Sequence, residues 1–140
     1  MSLLKLILSL SLIIFSMSVS SKEVVDCAHK QIGRLYKWGG QTPKFGFDSS
    51  GLAFYCHNFK IPRFSRQQAS KNKININDRK PGDLLFFACE KDKNYITHTV
   101  IYIGNDVFIE APFQGLTVRK NKFNKDYCGG KIVSASRYWK

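Results

Sequence analysis

Apolar residues recur at helical spacing at Val24, Ala28, Ile32 and Leu35, while Glu23, Lys30 and Gln31 face elsewhere. Ser21 can cap this segment, so the pattern predicts a helix through 23 to about 33, with Gly33 at or near its end. After Tyr36-Lys37-Trp38-Gly39-Gly40 and a turn-rich stretch containing Pro43 and Gly46, Asp48 is a good cap for a second helix over about 49–58. Its residues Leu52, Ala53, Phe54, Tyr55 and Cys56 make it apolar on nearly every side, which is the pattern of a helix buried mid-domain. A polar, basic segment follows from 63 to 80.

Beyond Pro81-Gly82 the period changes. Leu84, Leu85, Phe86 and Phe87 stand in succession and predict a buried strand over 83–89. Two β-rich runs, 98–103 and 107–111, flank Gly104-Asn105-Asp106, a hairpin signal. Weaker strands are expected at 116–119 and 132–138. Helices first and strands afterwards predict an α+β fold, with N-terminal helices packed on one antiparallel β-sheet.

The first residues follow another logic. Lys5 lies in a short basic n-region, 6–15 is mostly apolar, and Ser18-Val19-Ser20 offers small residues for cleavage. That layout predicts a secretory signal peptide over 1–20 and one domain over 21–140, hence a secreted, extracellular protein. A run this short does not span about 30 Å of hydrocarbon, so no stable membrane insertion is expected after cleavage. The formal charge of +12 falls to +11, one lysine leaving with the signal. Such an excess favours polyanions such as acidic glycans or bacterial envelopes. The basic residues are scattered, and with an export signal this argues against nucleic acid as a partner. Cys27, Cys56, Cys89 and Cys128 are an even count in an exported chain and predict at most two disulfides; three connectivities are open, and a Cys27–Cys56 pair between the two helices is the one expected. His29, His57 and His98 lie far apart and no Cys-x-x-Cys occurs, so neither a metal nor another cofactor is expected.

Candidate chemistry comes from the hairpin and the buried helix. A three-residue loop would pair Ile103 with Val107, so that paired numbers sum to about 210 and His98 lies diagonal to Glu110 on one face. A one-residue slip would separate them. Asp48-Ser49-Ser50-Gly51 opens the helix, where the dipole and free N–H groups favour developing negative charge. Taken alone, Ser49 is more often just a helix-start serine and His98 just a strand histidine.

The stretch Gly33-Arg34-Leu35-Tyr36-Lys37-Trp38-Gly39-Gly40, then Gly46-Phe47-Asp48-Ser49-Ser50-Gly51-Leu52, resembles the core signature of the NlpC/p60 family of papain-like cell-wall peptidases. The resemblance runs on through Pro62-Arg63, Arg66-Gln67-Gln68 and Pro81-Gly82-Asp83-Leu84 to Thr97-His98-Thr99-Val100 and Glu110-Ala111-Pro112. It implies a peptidoglycan endopeptidase acting on stem peptides, with the γ-D-glutamyl–diamino acid bond as target; separately, a monomer is expected. It implies Ser49 at the nucleophile position, His98 as general base and Glu110 where the family has a polar residue, commonly His, that orients the base. It places Tyr36 beside the oxyanion site, Asp48 and Ser50 where relatives hold a free amine, and Trp38 along the groove. The family motif has cysteine where this chain has Ser49. A thiol can be held as thiolate, whereas a serine proton must leave during attack. Three readings of Ser49 stand open: a replacement that traps an inactive enzyme, a natural silent site that binds wall peptide without cutting, or a working serine triad. The silent reading makes the chain a non-catalytic wall-binding or antibacterial defence module.

Overall fold

A computed structural model describes residues 18–140; the expected signal peptide lies almost wholly outside the described residues. Helix α1 spans Ser21–Lys30. Its cap is Ser20 and not Ser21: Ser20 Oγ accepts the Glu23 N–H at 3.1 Å, while the Ser21 hydroxyl donates to Pro81 O. Val19 is buried and its carbonyl accepts the Lys140 N–H at 3.0 Å, so the packed unit takes in residues ahead of the expected boundary at 21. The helix also ends earlier than 33. The Gly33 N–H bonds Val118 O, and Leu35 pairs with Thr117, so cross-chain pairing draws the backbone out of the helix. Ile32 and Leu35 consequently lie exposed and do not continue the buried stripe of Val24 and Ala28.

Strands β1 (Gln41–Thr42) and β2 (Gly46–Phe47) form a small antiparallel pair. Helix α2, Ser49–Cys56, is capped by Asp48, whose side chain accepts the Gly51 N–H at 2.7 Å. It stops short of 58 because Asn58 and Phe59 turn to φ 54° and 60°. Gly51 is required by close approach: a Cβ there would sit 1.9 Å from Gly40 O. The polar segment expected after Arg63 contains a further helix, α3, at Ser65–Ala69.

The main sheet holds β3 (Leu84–Phe87), β4 (His98–Gly104), β5 (Val107–Glu110), β6 (Arg119–Lys122) and β7 (Ser134–Ser136) in the order β6-β5-β4-β3-β7, with every pair antiparallel. The fold is therefore α+β, as the pattern predicts. Leu84, Phe86, Ile101 and Ile109 pack with α1 and α2, whereas Leu85, Phe87, Val100, Tyr102 and Phe108 pack under Phe123, Tyr127 and Ile132. Cover on both faces explains why β3 reads as an unbroken apolar run despite antiparallel pairing. Asp83, wholly buried ahead of β3, accepts bonds from Arg137 at 2.8 Å and Trp139 Nε1 at 2.8 Å, which fixes the C-terminal segment to the sheet.

The hairpin corrects the expected loop. Gly104, not Ile103, pairs with Val107, and the two-residue turn has Asn105 and Asp106 at φ 54° and 60°, the type I′ requirement. A bulge between Tyr102 and Gly104 absorbs the extra residue, so Tyr102↔Phe108 and Ile101↔Ile109 keep the expected register. Disulfides join Cys27 to Cys56 and Cys89 to Cys128.

His57, at the end of α2, is 1% exposed. Its Nδ1–H donates to Ala53 O at 2.7 Å, and Nε2 has no partner among the described residues. Burial pushes the imidazole down from 6.5 to about 4, against the pull of the Ala53 carbonyl. The unfolded chain then takes up a proton that the folded chain refuses, so stability falls as pH drops from 6.5 through 4. Urea denaturation across that window should show a loss of about 2–3 kcal/mol, and His57→Asn should flatten most of it.

Candidate active site

The start of α2 is built as a rigid frame. Asp48 Oδ1 accepts from the Gly51 N–H, Ser50 Oγ and Arg63 Nη1, and Oδ2 accepts from the Gly39 N–H and Arg63 Nη2. A carboxylate offers about four lone-pair sites, so the chain itself saturates Asp48. Ser50 Oγ is also taken, accepting from Arg63 Nη1 at 2.9 Å. These two residues therefore shape the loop around Gly39 and Gly40; neither is open to an amine in this structure. Arg63, part of the signature but given no role by it, is the centre of this frame, reaching Gln41 Oε1 and Gly40 O as well.

Gln68, also within the signature, has no role that its polar segment would suggest. It is fully buried, donates to Ser50 O at 3.1 Å and Pro62 O at 2.9 Å, and accepts from Thr99 Oγ1 at 3.0 Å. It thereby clamps the N-terminus of α2 to the start of β4. The result is that Ser49 Oγ accepts the Thr99 N–H at 3.4 Å, one residue from His98. Among the described residues, Ser49 Oγ has no hydrogen bond to the imidazole. The Gly51 N–H is engaged by Asp48, while the Ser49 N–H keeps no intramolecular acceptor among the described residues. An unengaged N–H at a helix start is suited to a developing oxyanion.

His98 is buried, and its Nε2 lies 2.9 Å from Glu110 Oε1. The hairpin register brings the two together. An acceptor on Nε2 fixes the proton there and leaves Nδ1 as the basic nitrogen. Glu110 is 1% exposed and held by three further donors: Arg119 Nε at 3.1 Å, Asn121 Nδ2 at 3.1 Å, and the Tyr127 hydroxyl. Burial works to raise this carboxyl, but the bonds and charge of His98 and the bonds of Tyr127 and Asn121 outweigh it and hold it at about 2. Burial first, then the Glu110 charge, raises the Tyr127 phenol well above its ordinary value, so it remains a donor.

A cavity of about 380 Å³ is lined by Tyr36, Trp38, Asp48, Ser49, Ser50 and Arg66, among others. Tyr36 is half-buried; burial and then the Asp48 charge raise its phenol, which keeps it a hydroxyl donor at neutral pH. Trp38 is 83% exposed and stands at the cavity wall, not in the core. The structure thus gathers Ser49, Tyr36, Trp38, Asp48 and Ser50 around one cavity, and pairs His98 with Glu110 beside it.

The model of the NlpC/P60 family matches residues 33–137. The chain belongs to the NlpC/P60 family. Among curated NlpC/P60-like relatives, it is 31% identical over 125 residues to the murein DD-endopeptidase MepH of Escherichia coli K12, covering 84% of this chain and 46% of that protein. It is 33% identical over 118 residues to a γ-D-glutamyl-L-lysine dipeptidyl-peptidase of Bacillus subtilis 168, covering 78% and 40%. The chain spans less than half the length of these relatives. An NlpC/P60 family protein of Bacillus cereus has the same fold at TM-score 0.79 and 26% identity, over 89% of this chain and 42% of that one. The resuscitation-promoting-factor-interacting protein RipA aligns at TM-score 0.69 and 30% identity, over 84% and 61%. RipA has been solved mutated at a cysteine and, separately, at a glutamate whose spacing from that cysteine equals the spacing of Glu110 from Ser49.

Proposed function

We propose that this NlpC/P60 chain is an exported peptidoglycan hydrolase that cuts stem peptides at the γ-D-glutamyl–diamino acid bond. The observation that carries the proposal is the clamp of the α2 start against β4, which sets Ser49 beside a histidine held by a buried carboxylate. The names of two relatives, a murein endopeptidase and a γ-D-glutamyl-L-lysine dipeptidyl-peptidase, support the substrate class. The matching spacing in RipA supports Ser49 and Glu110 as members of one site.

In this reading Ser49 Oγ attacks the stem-peptide carbonyl while His98 Nδ1 takes its proton. Glu110 holds the ring in that tautomer and stabilises the imidazolium that forms. The Ser49 N–H and the Tyr36 hydroxyl receive the oxyanion, and Trp38 borders the bound peptide. Serine in this position slows the reaction relative to cysteine, because its proton must be removed during attack.

The excess of basic residues concentrates the monomeric protein on polyanionic walls. Export removes the leader ahead of Val19, since cleavage after Ser20 would delete both the cap of α1 and the Val19–Lys140 bond. Mass spectrometry of the exported chain reads that start point.

The test of function is digestion of purified peptidoglycan by the Ser49 chain and by Ser49→Cys, with released fragments identified by mass. Fragments ending in γ-D-glutamate from the cysteine form are the expected result; release of no fragment by either form would refute the proposal. A second reading, a module that binds wall peptide without cutting it, is favoured by one observation: Ser49 Oγ is bonded to the Thr99 N–H and not to the imidazole. Under that reading Ser49→Cys creates no turnover.

A further inference from the structure

His98 borders a second cavity, separate from the one that holds Ser49. This space of about 290 Å³ is lined by His98 and Glu110 together with Glu90, Pro112, Phe113 and Arg119. Ser49, Tyr36 and Trp38 do not line it, but both cavities share Glu90 and Thr97, so the two adjoin. Of the two adjoining cavities, the imidazole lines only the second.

That position has a chemical consequence. The imidazole that takes the nucleophile's proton must return it to the leaving nitrogen. As the C–N bond breaks, the acyl group stays on residue 49 and the amine departs with the proton from His98. The amine side of the substrate therefore sits against His98, and the cavity lined by His98 is the second one.

Its charges narrow what fits. Arg119 donates to Glu110 through Nε alone; its side chain is 42% exposed and its terminal amino groups make no bond among the described residues. Glu90 is exposed and has no ion-pair partner among the described residues, although the chain has 22 basic residues against 10 acidic ones. One open cation and one open anion thus line the same cavity as the apolar Pro112 and Phe113.

Resting on the hydrolase reading above, we propose that this cavity is the leaving-side subsite for a diamino acid whose second amine is free. Glu90 receives the side-chain ammonium, and the terminal amino groups of Arg119 receive the carboxylate or carbonyl that follows the diamino acid. A cross-linked stem has that amine acylated and uncharged, so it forfeits the pair with Glu90. The chain consequently selects stems that are not cross-linked.

The experiment compares two stem tetrapeptides, one with L-lysine and one with Nε-acetyl-L-lysine after the γ-D-glutamyl bond. Turnover is measured with Ser49→Cys, and binding by calorimetry with the Ser49 chain itself. The free-amine peptide should be preferred about fivefold, the size of a partly exposed charge pair, and Glu90→Gln should erase the preference while cleavage of the acetylated peptide persists. Cleavage of both peptides at equal rates, or a preference that survives Glu90→Gln, overturns the subsite assignment and leaves the hydrolase reading intact. Cleavage of neither peptide, with neither bound, overturns both.

Discussion

Ser49→Cys is expected to raise turnover of a defined stem peptide by about 10²- to 10⁴-fold, and His98→Ala in that background to remove a gain of similar size. The geometry explains the direction. Ser49 Oγ accepts the Thr99 N–H at 3.4 Å and has no bond to the imidazole among the described residues, so the hydroxyl is not poised to give up its proton. A thiol depends less on that alignment, because a helix start favours the thiolate and an imidazole in reach can take its proton before substrate arrives. Glu110 is ionised throughout the neutral range, its carboxyl being held at about 2, and so supports the imidazolium at every working pH. Steady-state rates of the three proteins on one peptide check this. Equal rates for Ser49 and Ser49→Cys would show that residue 49 is not the attacking group.

Asp48→Ala should cost about 3–5 kcal/mol, because it strands the largely buried Arg63 guanidinium. The same substitution deletes the α2 cap and the acceptor for the Gly39 N–H, which adds about 1 kcal/mol for the cap. Asp48→Asn keeps a cap oxygen and should recover part of the loss. Thermal and urea unfolding of the three proteins give the ordering directly. A cost for Asp48→Ala below about 1 kcal/mol would place the pair among ordinary surface ion pairs and deny Asp48 its framing role.

Much of this arrangement is readable along the chain. Helix α2 announces itself because it is apolar all round and begins at Asp48. The register of β4 and β5 follows from alternation and a Gly-Asn-Asp turn, and it alone puts His98 and Glu110 on one face. The bulge at Ile103 is not visible, since it exchanges one loop residue for one strand residue and leaves the distant register unchanged. The early end of α1 is hidden for another reason: Ile32 and Leu35 fit the helical period, yet pairing with 117 and 118 outweighs that local preference.

The residues that hold the site together carry the weakest local signal. Arg63 and Gln68 sit in a polar run that reads as surface, and their roles exist only once α2 and β4 are brought side by side. Arg119, Asn121 and Tyr127 lie in a segment with no strong period, and their common target is one buried oxygen pair on Glu110. Spacing can suggest a base and its carboxylate. It does not reveal the donors that keep the carboxylate in place.

The joint action of the α2 start and the His98–Glu110 pair can be read on a single atom. All four native cysteines are in disulfides, so Ser49→Cys has one free thiol under non-reducing conditions. Its alkylation rate by iodoacetamide, followed against pH, should show a thiolate well below the ordinary value of about 8.5, moving back toward it in the His98→Ala variant. A thiol that titrates near 8.5 in both proteins would mean that residue 49 lies outside the reach of the histidine, and the hydrolase site would not exist as described.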